Sequence, residues 1–170
     1  MPLPYYPNPK KTETMKKKAL SLLAIALFMG TAAHAQMATY QKQVIECLGV
    51  EGDGTQTVRV TGTGKNKSDA KEQARKDAVA AVIFDGIRSG SGGCDMRPLI
   101  SEVNARRKYE DYFNKFFKDG GAYEKYISNK DRKKKTDVKT KNDNFTNFRL
   151  TVRVLRPKLK ERLQKDGIIK

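Results

Sequence analysis

The chain has 170 residues, a length typical of one domain, and 35 Lys and Arg against 19 Asp and Glu give it a net charge of +16. It contains one histidine, His34, and no tryptophan. Because His34 lies in a segment that we expect to be removed on export, the mature chain would have no imidazole. That excludes a Ser-His-Asp or Cys-His catalytic site and zinc binding through histidine. We expect no cofactor and no metal.

Residues 15–35 show the three parts of a secretory signal peptide in order. Three lysines follow Met15, an apolar run covers Ala19–Ala33, and an Ala-His-Ala cleavage site ends at Ala35. The apolar run of about 15 residues is too short for a membrane-spanning helix of ~20, and a buried core helix is the alternative. We predict cleavage after Ala35 and a periplasmic location, with the outer membrane or the extracellular medium as alternatives. The remaining 135 residues carry 30 basic and 18 acidic side chains, a net charge of +12.

The first 14 residues do not fit this leader. They contain four of the six prolines, which exclude a helix. We interpret them as the product of an upstream start, with Met15 as the true start, or as a disordered extension. The expected organisation is therefore the segment 1–14, the signal peptide 15–35 and a single secreted domain, 36–170.

Cys47 and Cys94 are the only cysteines. In an oxidising compartment we expect them to form one disulfide, which would close a loop of about 48 residues and contribute roughly 4 kcal/mol in the chain-entropy model. Two buried thiols are the alternative, and the lack of a C-x-x-C motif gives little support to a redox role. Cys47 lies in Gln41–Val50, which is either a short helix or an irregular lead-in.

A strand and an alanine-rich helix are predicted next. The alternating, β-branched run Thr55–Thr63 indicates a half-buried strand. A helix over Asp69–Ile87 follows, capped by Ser68 or by a box of Asp69 and Glu72. Small residues recur every four positions on one side of this helix, which lets it lie close to a sheet: Ala70, Ala74 and Ala78.

A second helix, Pro98–Lys118, carries aromatic residues at helical spacing. They are Tyr109, Tyr112, Phe113, Phe116 and Phe117. This spacing favours packing in the core, with an exposed partner surface as the alternative. Tyr123 and Tyr126 follow a pair of glycines, in a short turn or strand, and we expect them to be the exposed aromatic residues available to a partner.

The last part of the chain predicts a hairpin and a helix. Asn147–Leu155 alternates clearly and can pair with Thr136–Lys141, and an amphipathic helix, Lys158–Lys165, follows. The elements together predict a two-layer α+β domain. Its small, mostly antiparallel sheet carries the alanine-rich helix and the aromatic helix on one face.

Two parts of the sequence carry a resemblance to a known family. The first is the segment from Gly54 to Ile87, in which a strand ends at Gly62–Gly64 and the helix contains Ala74-Arg75 and Asp77-Ala78. The second is the alternating strand FRLTVRVL. The chain resembles, over Thr55–Leu155, the secreted domain shared by small bacterial surface lipoproteins and the N-terminal part of the flagellar T-ring protein. It lacks the lipobox of the former and adds the aromatic helix. The resemblance implies a non-enzymatic envelope protein that binds other proteins, sometimes in rings.

The turn Gly62–Lys65 lies between a strand and a helix, where phosphate-binding loops occur. Asn66 stands where the Walker motif needs Ser or Thr, and Lys67 stands at the third glycine of the dinucleotide motif. We therefore interpret these residues as a tight turn.

The segment Lys130–Lys141 has the highest charge density in the chain. With two arginines of the last strand it forms a candidate patch for an anion or a partner, and a solvated hairpin is the alternative. The patch comprises Lys130, Arg132, Lys133, Lys134, Lys135, Lys139, Lys141, Arg149 and Arg153.

We expect a non-enzymatic periplasmic or envelope-associated protein-binding domain, whose partners are envelope proteins or further copies of this chain. The alternative is a binder of anionic polymers or lipid surfaces. No specific nucleic acid is expected, because no recognition motif frames the basic segment. A second alternative is a histidine-independent hydrolase with paired carboxylates. However, Glu110 and Asp111 are adjacent and diverge on a helix, and Asp77 and Asp85 lie two turns apart.

Overall fold

The structure is a computed structural model that describes residues 44–128, 138–141 and 144–170, all within the compact unit Met37–Lys170. These ranges contain six strands, four α-helices and one 3₁₀ helix. In chain order they are β1 Glu46–Val50, β2 Gln56–Gly64, α1 Lys67–Phe84, β3 Ser89–Gly90, α2 Ala105–Lys108, α3 Glu110–Phe116, the 3₁₀ helix Ala122–Tyr126, β4 Ile127–Ser128, β5 Val138–Lys141, β6 Thr146–Val154 and α4 Arg156–Lys165.

The strands form one sheet in the order β3-β1-β2-β6-β4, and β5 also pairs with β6. All pairs are antiparallel except β1 with β3. The predicted α+β class is confirmed, as are the mostly antiparallel sheet and the hairpin of β5 with β6. Neither expectation for Gln41–Val50, a short helix or an irregular lead-in, holds in its described part, because Glu46–Val50 forms strand β1.

The ladder of β2 with β6 separates an apolar from a polar face. Val58 lies opposite Val152 and Val60 opposite Leu150, and all four are buried. The alternate residues face the other way and are polar; one of them, Arg59, forms an ion pair with Glu46 of β1 at 2.9 Å. The apolar face therefore receives the helices.

Helix α1 lies unusually close to β2. A Cβ atom on Gly62 would lie 2.1 Å from the carbonyl oxygen of Ala70, so only glycine fits. Ala70, Ala74 and Ala78 are fully buried, as the alanine spacing predicts. The predicted cap is wrong: the helix begins at Lys67, and the Asn66 side chain accepts hydrogen bonds from the amides of the first turn.

The aromatic segment is much less helical than predicted. In place of one helix over Pro98–Lys118 it contains only α2 and α3. The amides of Leu99 and Ile100 donate to the carbonyl oxygens of Val82 and Ile83 at the end of α1, which holds this part of the chain out of a helix. Asn104, just before α2, has a left-handed backbone (φ +63°). The aromatic residues themselves pack in the core as predicted, and Phe113 and Phe116 are buried.

The disulfide between Cys47 and Cys94 is formed, with both residues buried. It joins β1 to the loop that follows β3, and Gly90 pairs with Cys47 in the sheet. The bond thus fixes the edge of the sheet where, among the described residues, the two-residue β3 is the outer neighbour of β1.

We expect Gly62→Ala to lower the free energy of unfolding by about 2–3 kcal/mol, because the added methyl group would push α1 away from β2. Gly52→Ala is the control, since a Cβ there meets no atom within 4 Å. Urea denaturation of both variants measures the difference. Equal stability of the two variants would show that the close approach of α1 is not required.

Replacing both Cys47 and Cys94 by alanine should lower the melting temperature substantially, because the disulfide closes a long loop and contributes roughly 4 kcal/mol. Circular dichroism with and without a reducing agent provides the measurement. The double variant should be insensitive to the reductant. A parent chain that melts at the same temperature when reduced would contradict this prediction.

Candidate functional site

The predicted basic patch is divided between the two faces of the sheet. Lys139 pairs with Phe148 and Lys141 with Thr146, so both lysines lie on the side of the sheet that carries α1. Arg149 and Arg153 lie on the opposite face, where Arg149 pairs with Val138 of β5. The other five members lie outside the described residues: Lys130, Arg132, Lys133, Lys134 and Lys135.

Arg153 has a structural role. Its guanidinium lies 3.3 Å from the carboxylate of Glu51, which also accepts a hydrogen bond from the Thr57 hydroxyl at 3.1 Å. Arg149, by contrast, is exposed. The structure therefore assigns the two arginines different surroundings.

Two further lysines, which the sequence analysis missed, join Lys139 and Lys141. The Nζ atoms of Lys67 and Lys71 on α1 lie 5.4 and 5.1 Å from the centre of the Phe148 ring. Such distances allow cation–π attraction. We call the four lysines 67, 71, 139 and 141 the basic edge. The i, i+4 spacing of Lys67 and Lys71 is visible in the sequence, but their position beside β5 depends on the packing of α1 on β6.

The expected exposure of Tyr123 and Tyr126 is wrong. Tyr123 is fully buried and Tyr126 nearly so. The Tyr123 hydroxyl donates a hydrogen bond to the carboxylate of Glu72, and its burial, with this bond, raises the pKa of Tyr123 far above its usual range. Tyr126 stacks on Phe116 with ring centres 5.9 Å apart. Both tyrosines therefore belong to the core rather than to a partner surface.

A groove of about 580 Å³ lies beside the turn that we compared with phosphate loops. Asn66 Oδ1 already accepts from the amides of Ser68 and Asp69, which a phosphate would need. The groove is lined by the carboxylates of Asp69, Glu72, Asp119 and Glu124. These acidic groups disfavour an anion, in agreement with the tight-turn interpretation.

Three of the four carboxylates that line this groove are engaged in structural contacts. Asp69 accepts from the Asn66 side chain at 2.9 Å, Glu72 accepts from Tyr123, and Asp119 forms an ion pair with Lys76. In the ranges that the structure describes, no group of three or more His, Cys, Asp or Glu side chains is arranged to hold a metal ion.

A second cavity, of about 470 Å³, lies at the other end of β2. Val50 and Pro157 form apolar parts of its wall, and Gln56, Arg156 and Lys160 supply polar groups. No sequence motif marks it, because its walls come from three separate parts of the chain.

Asp77 is the most unusual titratable group of α1. Its side chain is buried, and only one carboxylate oxygen has a partner, the amide of Gln73 at 2.7 Å. Burial raises the pKa of Asp77 to about 7, although the hydrogen bond from Gln73 opposes the shift. Asp85, two turns away, is paired with Arg106 at 3.3 Å, so the two carboxylates have separate surroundings.

Comparison with known proteins finds no matching family model, no similar curated protein and no similar solved structure. The resemblance to the lipoprotein and T-ring domains therefore stays a prediction. Within the described ranges, no helix combines the length and the apolar character needed to cross a membrane.

We expect Asp77→Asn to remove a pH dependence of stability. Because the folded-state pKa of Asp77 is raised, its contribution to stability is complete below pH 4 and is lost as the pH rises towards 7. At pH 8 the free energy of unfolding of the variant should exceed that of the parent chain by on the order of 2–4 kcal/mol. This difference should shrink towards pH 4.

Urea denaturation at several pH values between 4 and 8 measures this effect, with the exposed Asp111→Asn as control. A difference between Asp77→Asn and the parent that stays constant over this range would contradict the assignment.

Proposed function

We propose that this chain is a non-enzymatic binding domain of the bacterial cell envelope, which holds a partner protein along strand β5. The observation that carries the proposal is the exposure of β5. All four of its residues are exposed, and within the described ranges it pairs with β6 alone. A strand in this position offers backbone N–H and C=O groups to an additional strand.

The charge of the basic edge favours a partner of a particular kind. Lys139 and Lys141 alternate with Val138 and Thr140 along β5, and Lys67 and Lys71 lie nearby over Phe148. A second copy of this strand would bring like charges together, which is unfavourable. An extended acidic segment would instead add backbone hydrogen bonds to charge complementarity. We therefore favour a different protein over a second copy of this chain.

The envelope location rests on the signal sequence at residues 15–35. The disulfide is compatible with an oxidising compartment of this kind. A role in binding rather than catalysis is supported by the carboxylates of the larger groove, since Asp69, Glu72 and Asp119 each hold a structural partner.

The second candidate function is binding to an anionic polymer or lipid surface. It is supported by the position of Lys67 and Lys71 over the Phe148 ring and of Lys139 opposite Phe148, because such a cluster attracts any polyanion. The two functions differ in their dependence on salt. Interactions between exposed charges are screened, whereas backbone hydrogen bonds of an added strand are not.

The test compares two charge reversals of equal size. The variant Lys139→Glu with Lys141→Glu changes the basic edge, and Lys115→Glu with Lys125→Glu changes exposed lysines elsewhere. Proteins captured by the immobilised chain from an envelope extract are identified and purified, and their affinity is then measured. We expect the first variant to bind about tenfold more weakly and the second to bind as the parent does.

Hydrogen exchange adds a readout of the backbone. On binding of the purified partner, amides of β5 should gain protection. An equal loss of affinity in both variants, or no protection of the β5 amides against exchange, would contradict the proposal. Complete release at 0.5 M salt, together with sedimentation on phosphatidylglycerol vesicles at low salt, would favour the anionic surface instead.

A further inference from the structure

The cavity at the start of α4 contains unsatisfied polar atoms. Gln56 lines the cavity and is only 2% exposed, yet its side-chain Oε1 has no hydrogen-bond partner in the described chain. A buried oxygen without a partner costs free energy. The Nε atom of Arg156, which also lines the cavity, is a buried donor that likewise has no hydrogen-bond partner. Among the residues that line the cavity, one acceptor and one donor thus have no hydrogen-bond partner.

The remaining charges of the cavity favour an anion. The guanidinium of Arg156 lies 2.9 Å from the carboxylate of Asp95, so the one acidic residue in the lining is already neutralised. Lys160, which also lines the cavity, is exposed. An anion in the cavity could therefore pair with Lys160, which is not paired with an acidic side chain of the lining.

The first turn of α4 also favours an anion in the cavity. Its N-cap, Leu155, makes no side-chain cap, and the turn contains no acidic residue. Partial positive charge at a helix N-terminus attracts negative groups. This feature supports the cavity because Arg156 and Pro157, at the start of the helix, are part of its lining.

We propose that this cavity binds the free carboxyl end of a protein chain. The last residue of a peptide has an N–H group to donate to Gln56 Oε1, and a carboxylate to accept from Arg156 Nε and to pair with Lys160. Its side chain would contact Val50 and Pro157, which favours a small apolar residue. The volume lies in the range of small-ligand sites.

This site is separate from the basic edge. Gln56 pairs with Val154 at one end of the β2–β6 ladder, whereas Gly64 pairs with Thr146 at the other, roughly 25 Å away. The disulfide supports the cavity, since Gly93 in its wall precedes Cys94 and Val50 belongs to the same strand as Cys47. Failure of one proposal therefore leaves the other open to its own test.

The experiment titrates the full chain with N-acetyl-alanyl-alanine and follows its backbone amides by NMR. Saturable shifts are expected at Gly54 and Gly93. The C-terminal carboxamide of the same peptide removes the negative charge, and N-acetyl-alanyl-lactate replaces the last N–H by an ester oxygen. Each analogue should bind about tenfold more weakly than the parent peptide.

Two variants separate the contributions. Lys160→Gln should abolish the preference for the acid over the carboxamide. Gln56→Leu should abolish the preference for the amide over the ester, and circular dichroism checks that this variant is folded. Lys165→Gln, exposed near the end of the same helix, is the control and should bind as the parent does.

Several results would overturn the proposal. The first is the absence of shifts at Gly54 and Gly93 across the titration. Equal affinity for acid and carboxamide, or equal shifts with acetate alone, would show that no peptide end is recognised. Tighter binding of the D-alanyl-D-alanine analogue would overturn the assignment to a protein terminus.

Discussion

The close packing of α1 on β2 is the constraint on which the rest of the domain depends. Since Gly62 has no side chain, Ala70 and Ala74 can touch the backbone of the strand. This proximity brings the first two turns of the helix over the neighbouring strand β6, where Lys67 and Lys71 meet the Phe148 ring. A feature of the core thereby determines which cations lie beside β5. The fold and the basic edge have the same physical origin.

Much of this arrangement follows from local patterns. Alternation identifies β2 and β6, and the spacing of small residues identifies α1 and its buried side, because these signals come from the periodicity of each element. The prediction of one long aromatic helix is wrong for a non-local reason. The backbone amides of Leu99 and Ile100 donate hydrogen bonds to carbonyl groups at the end of α1. Strand β1 gives little signal, since it has five residues and an irregular register between Cys47 and Gly49.

The candidate sites were harder to predict than the fold, because each depends on contacts between distant parts of the chain. Tyr123 follows a glycine pair, which suggests exposure, but Glu72 supplies a carboxylate for its hydroxyl in the interior. The charged segment before residue 141 is obvious in the sequence. Its register with β6, however, places Lys139 and Arg149 on opposite faces. The cavity at Gln56 has no sequence signal, since no single segment contains its polar groups.

Arginine and lysine contribute in different proportions to the ion pairs of the described residues. Arginines hold carboxylates within the described structure: Arg59, Arg75, Arg106, Arg153, Arg156 and Arg162. A planar guanidinium suits this task, because it can bind two oxygens at once and is less strongly hydrated than an ammonium group. Lys139 and Lys141 lie on the exposed strand β5, and Lys160 lines the cavity at the start of α4. Ammonium groups on flexible stems adapt to partners of varied shape. Ion pairing in the described residues thus falls mainly to arginines, with Lys76 and Lys108 as lysines that also hold a carboxylate, whereas the proposed binding surfaces rely on lysines.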